Sequence, residues 1–194
     1  IEKYRTQSDP ILYPDVNWTD LLVSDASYQT QTNINISGGT ERVKYFFSAG
    51  YFTQDGLFNT DVYDPGYDYQ LKYRRYNLRS NFDFNINKNL KVSFDLSTQM
   101  DDTRGPNWST SSFMNMLVTV PSTISLGVVD NKIVMVPTTA QIPASTPMVA
   151  FIKGNHKDYA NFLNGSIRVN YKMDYLTKGL AVRAAISYKN YNNH

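Results

Sequence analysis

From Tyr28 onward apolar and polar residues alternate, and the period of two recurs until the chain ends. Between Tyr28 and Ser37, Thr32, Ile34 and Ile36 face away from Gln31, Asn33, Asn35 and Ser37, the pattern of a half-buried strand. A second strand sets Val43, Tyr45, Phe47, Ala49 and Tyr51 against Lys44, Ser48 and Gly50, with Phe46 and Phe52 interrupting the polar side. From Tyr73 to Asn87 the alternation is nearly unbroken: Tyr76, Leu78, Phe82, Phe84 and Ile86 oppose Arg75, Asn77, Arg79, Asn81, Asp83 and Asn85. A fourth strand mirrors it, with Leu90, Val92, Phe94, Leu96 and Met100 opposite Lys91, Ser93, Asp95, Ser97 and Gln99. Strand five places Leu163, Ile167, Val169, Tyr171 and Met173 against Asn164, Ser166, Arg168, Asn170 and Lys172. Strand six places Leu180, Val182, Ala184, Ile186 and Tyr188 against Arg183, Ser187 and Lys189.

The connections alternate in kind. Short turns are expected at Gly38 and Gly39, at Lys88 and Asn89, and from Asp174 to Gly179. Between them lie a Tyr-, Asp- and Gly-rich loop from Gln54 to about Tyr69 and a very long segment from Asp101 to about Tyr159. That segment holds a helix candidate at Ser112 to Val118, then Pro121, Pro137, Pro143 and Pro147. Residues 1–27 are irregular, with Pro10, Pro14 and a short helix expected from Asp15, as N-cap, to Leu22. In an antiparallel array every second connection lies on the same side, and outer-membrane barrels have short periplasmic turns with longer extracellular loops. The expected plan is an extracellular loop over 1–27, four strands over 28–100, a long extracellular loop over 101–160 and two strands over 161–194.

Each strand reaches or exceeds the roughly 9 to 11 residues that cross the hydrocarbon layer at a tilt. Alternation also fits a soluble carbohydrate-binding β-sandwich, or a small outer-membrane barrel acting as an adhesin. The charged residues on the polar faces and the alternating connection lengths favour a transmembrane barrel. Six strands fall short of the roughly eight of the smallest single-chain barrels, and unpaired edges in lipid would strand backbone groups. The chain is therefore expected to be a section of a larger barrel. Ile1 in place of Met, with no signal-peptide pattern near it, agrees with a removed start or a fragment.

Composition narrows the chemistry. A formal charge of +2 with no basic block excludes a nucleic-acid footprint. Without cysteine, neither disulfides nor a Cys-based metal site can form, and no run approaches the roughly 20 apolar residues of a membrane-spanning helix. The only histidines are His156 and His194, so a Ser-His-Asp arrangement has little to build on; neither catalysis nor a cofactor is expected. Asp61, Asp64 and Asp68 are carboxylate-rich, yet their spacing fits no calcium loop closely, and a solvated loop is the preferred reading. Nearby Tyr63, Tyr67 and Tyr69 are candidates for sugar stacking or partner contact. Asp101, Asp102, Arg104, Asn107 and Trp108 combine an aromatic face with planar polar groups, as sugar sites do. The alternative is that Trp108 packs the loop or touches a partner. Leu78, Phe82, Phe84, Val92, Phe94 and Leu96 are expected to face lipid, with Tyr45, Tyr51, Tyr76 and Tyr171 in the interfacial girdle.

Four stretches carry a family resemblance. YPDVNWTDLL, from Tyr13 to Leu22, is similar to the YPNxDWxDLL segment of the SusC/RagA family of TonB-dependent outer-membrane transporters. ISGGTERVKYFFSAGYFTQDGLF from Ile36 to Phe58, RRYNLRSNFDFNINKNLKVSFDLS from Arg74 to Ser97, and NGSIRVNYKMDYLTKGLAVRAAISY from Asn164 to Tyr188 resemble further blocks of that family. The resemblance implies a barrel of about 22 strands, a plug domain through which TonB supplies energy, and a SusD-like surface lipoprotein closing the mouth. It also implies an oligosaccharide or peptide cargo. Plug and TonB-binding segment are absent from this sequence.

Overall fold

The computed structural model describes residues 1–134 and 146–193, so Pro137, Pro143 and His194 lie outside the described residues. Two compact units are formed: one by Gln29–Gln54, Tyr73–Thr103 and Asp158–His194, the other by Ile1–Tyr28, Asp55–Lys72 and Arg104–Lys157.

The first unit is a sheet built from β1 (Gln29–Gly39), β2 (Val43–Asp55), β3 (Lys72–Asn85), β4 (Leu90–Pro106), β7 (Asn155–Lys172) and β8 (Ala181–Asn193), in that order. Neighbours in space are successive long strands in sequence, an up-and-down antiparallel array. Register matches like with like. Ile34 pairs with Ala49 and Ile36 with Phe47, while Asn35 pairs with Ser48; Ile167 pairs with Ile186 and Val169 with Ala184, while Asn170 pairs with Arg183. A slip of one residue would exchange the two faces, so this pairing fixes which face is apolar.

The turns are tied locally. The strand β1 continues through Gly38 and Gly39, and the bend falls at 40–42, where Thr40 Oγ1 accepts from the amides of Arg42 (3.3 Å) and Val43 (3.2 Å). Gly38 is there for space: it pairs with Tyr45, whose hydroxyl would meet a Cβ at 2.5 Å. At the second turn the Asn87 side chain accepts from Asn89 N and Leu90 N at 2.8 and 2.9 Å. At the third, Asp174 accepts from Gly179 N at 2.8 Å, with Gly179 at a φ of 84° that favours glycine.

The apolar face of this sheet is uncovered. Ile34 is 59% exposed, Ile36 54% and Ile186 77%, on the face that a sandwich would bury under a second sheet.

The second unit holds a small aromatic core. Its elements are α1 (Glu2–Thr6), α2 (Trp18–Leu22), α3 (Thr110–Thr119), the hairpin β5 (Val128–Val129) with β6 (Lys132–Ile133), and α4 (Val149–Ile152). Trp18, Leu22, Phe58, Tyr69, Phe113, Leu117, Met148, Ala150 and Phe151 are buried together. Phe151 is the hub, its ring centroid 4.5 Å from Tyr69 and 5.6 Å from both Phe58 and Phe113. Full burial of such a ring stabilises by about 1.5 to 3 kcal/mol.

Helix α2 begins later than the sequence predicts. Its N-cap is Asn17, whose side chain accepts from the amides of Thr19 and Asp20, not Asp15. Val16 N is committed to Ser122 O at 2.9 Å, which holds this stretch out of the helix. Trp18 Nε1 donates to Pro121 O, and α2 packs on α3. Helix α3 encloses the expected Ser112 to Val118, capped by Ser109.

Candidate functional site

Two arrangements on the sheet bear on function. The first is a ladder of ion pairs on its polar face. Asp83 accepts from Lys91 Nζ at 3.0 Å and Ser93 Oγ at 2.6 Å. Asp95 accepts from Arg168 Nη2 at 2.6 Å, Ser166 Oγ at 3.1 Å and the Asn81 amide. Asp101 accepts from Arg75 Nε, Tyr73 hydroxyl and Gln99 Nε2, each at 2.9 Å. These bonds tie β3 to β4 and β4 to β7. All the partners are at least partly exposed, so each pair contributes about 0 to 1 kcal/mol and serves register more than stability.

The second arrangement is the segregation of charge. Along β3 from Tyr76 to Ile86, along β4 from Leu90 to Met100, and throughout β1 and β8, the apolar-phase positions carry no Asp, Glu, Lys or Arg. Phe82, Phe84 and Phe94 meet on that face, with ring centroids 6.1 Å apart for Phe82 and Phe84 and 6.4 Å for Phe82 and Phe94. The Tyr51 and Tyr76 rings lie 5.1 Å apart near its upper border. Between Tyr76 and Ile86 the face runs about 34 Å along the strand, or roughly 25 Å in height at a tilt near 40°, the height of a barrel's apolar band. The six positions Leu78, Phe82, Phe84, Val92, Phe94 and Leu96 all share this phase.

The tyrosine loop is tied inward. Tyr69 is 2% exposed and its hydroxyl donates to Tyr63 O at 2.9 Å, so its ring belongs to the core and is closed to a stacking ligand. Burial, with the charges of Asp61 and Asp64 next and Tyr63 and Asp68 behind them, pushes its hydroxyl up to about 12. Tyr67 is half-buried, donates to Phe151 O at 2.6 Å and accepts from Gly154 N at 3.0 Å. Tyr63 packs against the core edge. The carboxylates of this loop are spent on backbone amides: Asp64 accepts from Gly66 N and Asp68 from Gln70 N, with Lys72 Nζ 2.7 Å from Asp68. Burial works against the Asp68 charge, but the hydrogen bonds from Lys72 and Gln70 and the Lys72 and Arg104 charges outweigh it and hold its pKa below the ordinary carboxylate value. Among the described residues no group of three His, Cys, Asp or Glu side chains is placed to hold a metal.

The predicted cluster after strand four divides. Strand β4 runs on to Pro106, so Asp101 and Asp102 are strand neighbours on opposite faces and Asp101 belongs to the ion-pair ladder. Asp102 and Arg104 are half-buried on the same strand. Asn107 follows the strand, exposed, its amide donating to Gly154 O at 2.8 Å. Trp108 is half-buried against the core with Lys153 Nζ 5.9 Å from its ring centroid; its Nε1 is shielded without a partner. It packs the loop.

Sequence reasoning missed the β5–β6 hairpin. Asp130 and Asn131 both take positive φ, 49° and 55°, as a two-residue turn of the type I′ kind requires. Asn131 then clamps the tyrosine loop, accepting from Asp64 N at 2.8 Å and donating to Asp64 O at 3.0 Å. The Asp-Asn dipeptide was its only signal, since strands of two residues show no alternation.

The six-stranded antiparallel sheet matches a fragment of a β-barrel. The chain is similar to the RagAB peptide transporter, with a TM-score of 0.65 and 22% identity over 92% of this chain and 19% of that one. A second structure, the RagAB peptide importer in its "open-open" state, gives a TM-score of 0.67 with the same identity and coverage. In sequence, 87 residues are 32% identical to TonB-dependent receptor P26 of Formosa agariphila, 45% of this chain and 8% of that protein. No family model matches. The chain thus spans less than a tenth of the length of the receptor it matches and about a fifth of the transporter chains. The likeness to the RagAB chains is one of fold, and the likeness to the TonB-dependent receptor is confined to those 87 residues.

Proposed function

We propose that this chain forms part of the wall of a SusC/RagA-type barrel in the outer membrane, and that the whole protein imports an oligosaccharide or peptide with energy from TonB. A SusD-like lipoprotein lid is the proposed surface partner. The observation that carries this reading is the uncharged, uncovered face about 25 Å high, backed by a face that holds the sheet's ion pairs. Such a sheet suits lipid on one side and an aqueous lumen on the other, since each interior strand has hydrogen-bonded neighbours on both sides. The turns at 40–42, 86–89 and 173–180 are then periplasmic, and the aromatic core unit is an extracellular loop assembly. Within that unit Tyr63, Tyr67, Asn107 and Trp108 keep enough exposure to meet the lid or its cargo, whereas Tyr69 does not. No catalytic step is assigned to the chain.

The test is genetic. Cells lacking the full-length protein, or lacking TonB, are expected to lose uptake of fluorescently labelled oligosaccharide and peptide, and the tagged protein is expected in the outer-membrane fraction with heat-modifiable mobility. A soluble tagged protein, or uptake unchanged by both deletions, would refute the reading.

A further inference from the structure

The total charge of +2 conceals a separation. Acidic residues outnumber basic ones in the loop unit, and basic residues outnumber acidic ones in the sheet unit. On the polar face, Asp83, Asp95 and Asp101 are each already occupied by Lys91, Arg168 and Arg75. Arg183 and Lys189 on β8 remain, two further cations on the same face as Arg168 by register, and neither has an ion pair among the described residues. Arg79 on β3 donates to the neutral Asn81 side chain at 3.2 Å and has no ion pair among the described residues.

Arg183, one of these cations, lines a groove. Arg168 and Arg183 line it together with Asn170 and the Lys91–Asp83 pair, and Ala185, paired with Arg168, leaves room where a longer side chain would fill it. Asn170 lies directly across from Arg183, and its Oδ1 is shielded from solvent with no hydrogen-bond partner. An acceptor left unsatisfied in this way is costly unless a visiting O–H or N–H completes it. Guanidinium groups recognise planar or tetrahedral anions through paired N–H donors, and a cationic wall in a confined aqueous channel concentrates anions by field focusing.

The geometry points to a binding site for anionic cargo at Arg183, Arg168, Lys91 and Asn170: a ligand bearing carboxylate or sulfate groups beside hydrogen-bond donors. This rests on the proposed orientation of the polar face toward a lumen. Acidic sugars and acidic peptides share the chemistry, and the experiment separates them.

Trigalacturonate, tri-aspartate and the neutral maltotriose are titrated calorimetrically into the intact, detergent-purified barrel at low salt. Heat-modifiable mobility first establishes that the barrel is assembled; failure there speaks against the barrel reading and not against the site. At least one acidic probe is expected to bind about tenfold more tightly than maltotriose, and Arg183→Gln to remove about that factor. Arg183→Lys is expected to keep most of it. Whichever acidic probe binds more tightly identifies the carrier of the charge. Equal affinity for maltotriose, no binding of either acidic probe, or acidic binding unchanged by Arg183→Gln overturns the proposal. Unchanged binding with a lowered melting temperature would show instead that Arg183 serves an acidic surface of the protein itself.

Discussion

The Arg168 guanidinium lies 2.6 Å from the Asp95 carboxylate, joining strands β4 and β7 through residues 73 positions apart in the chain. Asp95 also takes bonds from Ser166 and Asn81, so it gathers donors from β3, from β7 and across the longest connection. Replacing it by alanine leaves those donors without their acceptor, and Asp95→Ala is expected to cost about 1 to 3 kcal/mol. Arg168→Met, which removes only a half-exposed partner, is expected to cost about 1 kcal/mol or less. Urea unfolding of the intact barrel in lipid measures both; equal losses would contradict a hub role for Asp95.

Phe82 touches Phe84 and Phe94 on the uncharged face, whereas Asn81 points to the ladder. Phe82→Arg is expected to destabilise the intact barrel by about 2 to 4 kcal/mol if the ring sits near the bilayer midplane. Asn81→Arg should cost distinctly less. The same unfolding titration decides, and equal costs would refute the assignment of faces.

How much of this was legible in the sequence depends on the length over which a pattern persists. Strands β3 and β4 alternate for long enough that phase, partners and faces could be read directly, and Leu78 through Leu96 share one face as the alternation requires. The far ends were not legible, because β4 continues to Pro106 through Asp102, Thr103 and Arg104, where the apolar phase lapses above the expected band. That lapse made Asp101 look like a loop residue. Tyr69 was misjudged for another reason: its neighbours Asp68 and Gln70 are polar, and nothing local announces that Phe58, Phe113 and Phe151 converge on it from distant segments.

That convergence is itself testable. Phe151→Ala removes the ring shared by Phe58, Tyr69 and Phe113 and is expected to cost the loop unit about 3 to 5 kcal/mol. Hydrogen exchange should rise sharply in residues 57–70 and 110–119, while the amides of β3 and β4 keep their protection. Protection unchanged in the loop unit would show that the cluster does not organise it.

Tyr69 gives the same core a pH limit. Its hydroxyl is raised from 10.0 to about 12 by burial first and the Asp61 and Asp64 charges next. A group with a raised folded value contributes its full stabilisation below the unfolded value and loses it as pH climbs through the folded one. Loop-core protection should therefore be flat up to about pH 10 and fall between 10 and 12, by about 2 kcal/mol in all. Tyr69→Phe should abolish that fall, and a decline that persists in the variant would assign it to other groups.

The central claim is that one face of this sheet meets lipid and the other meets water, and alternation of accessibility tests it most directly. The chain has no cysteine, so spin labels can be introduced singly at Asn81, Phe82, Asp83, Phe84, Ser93 and Phe94 of the full-length protein in proteoliposomes. Labels at Phe82, Phe84 and Phe94 are expected to relax with dissolved oxygen and to be shielded from a water-soluble nickel chelate, and labels at Asn81, Asp83 and Ser93 to do the reverse. Uniform accessibility along β3 and β4, or the inverse alternation with the phenylalanine positions in water, would contradict the account.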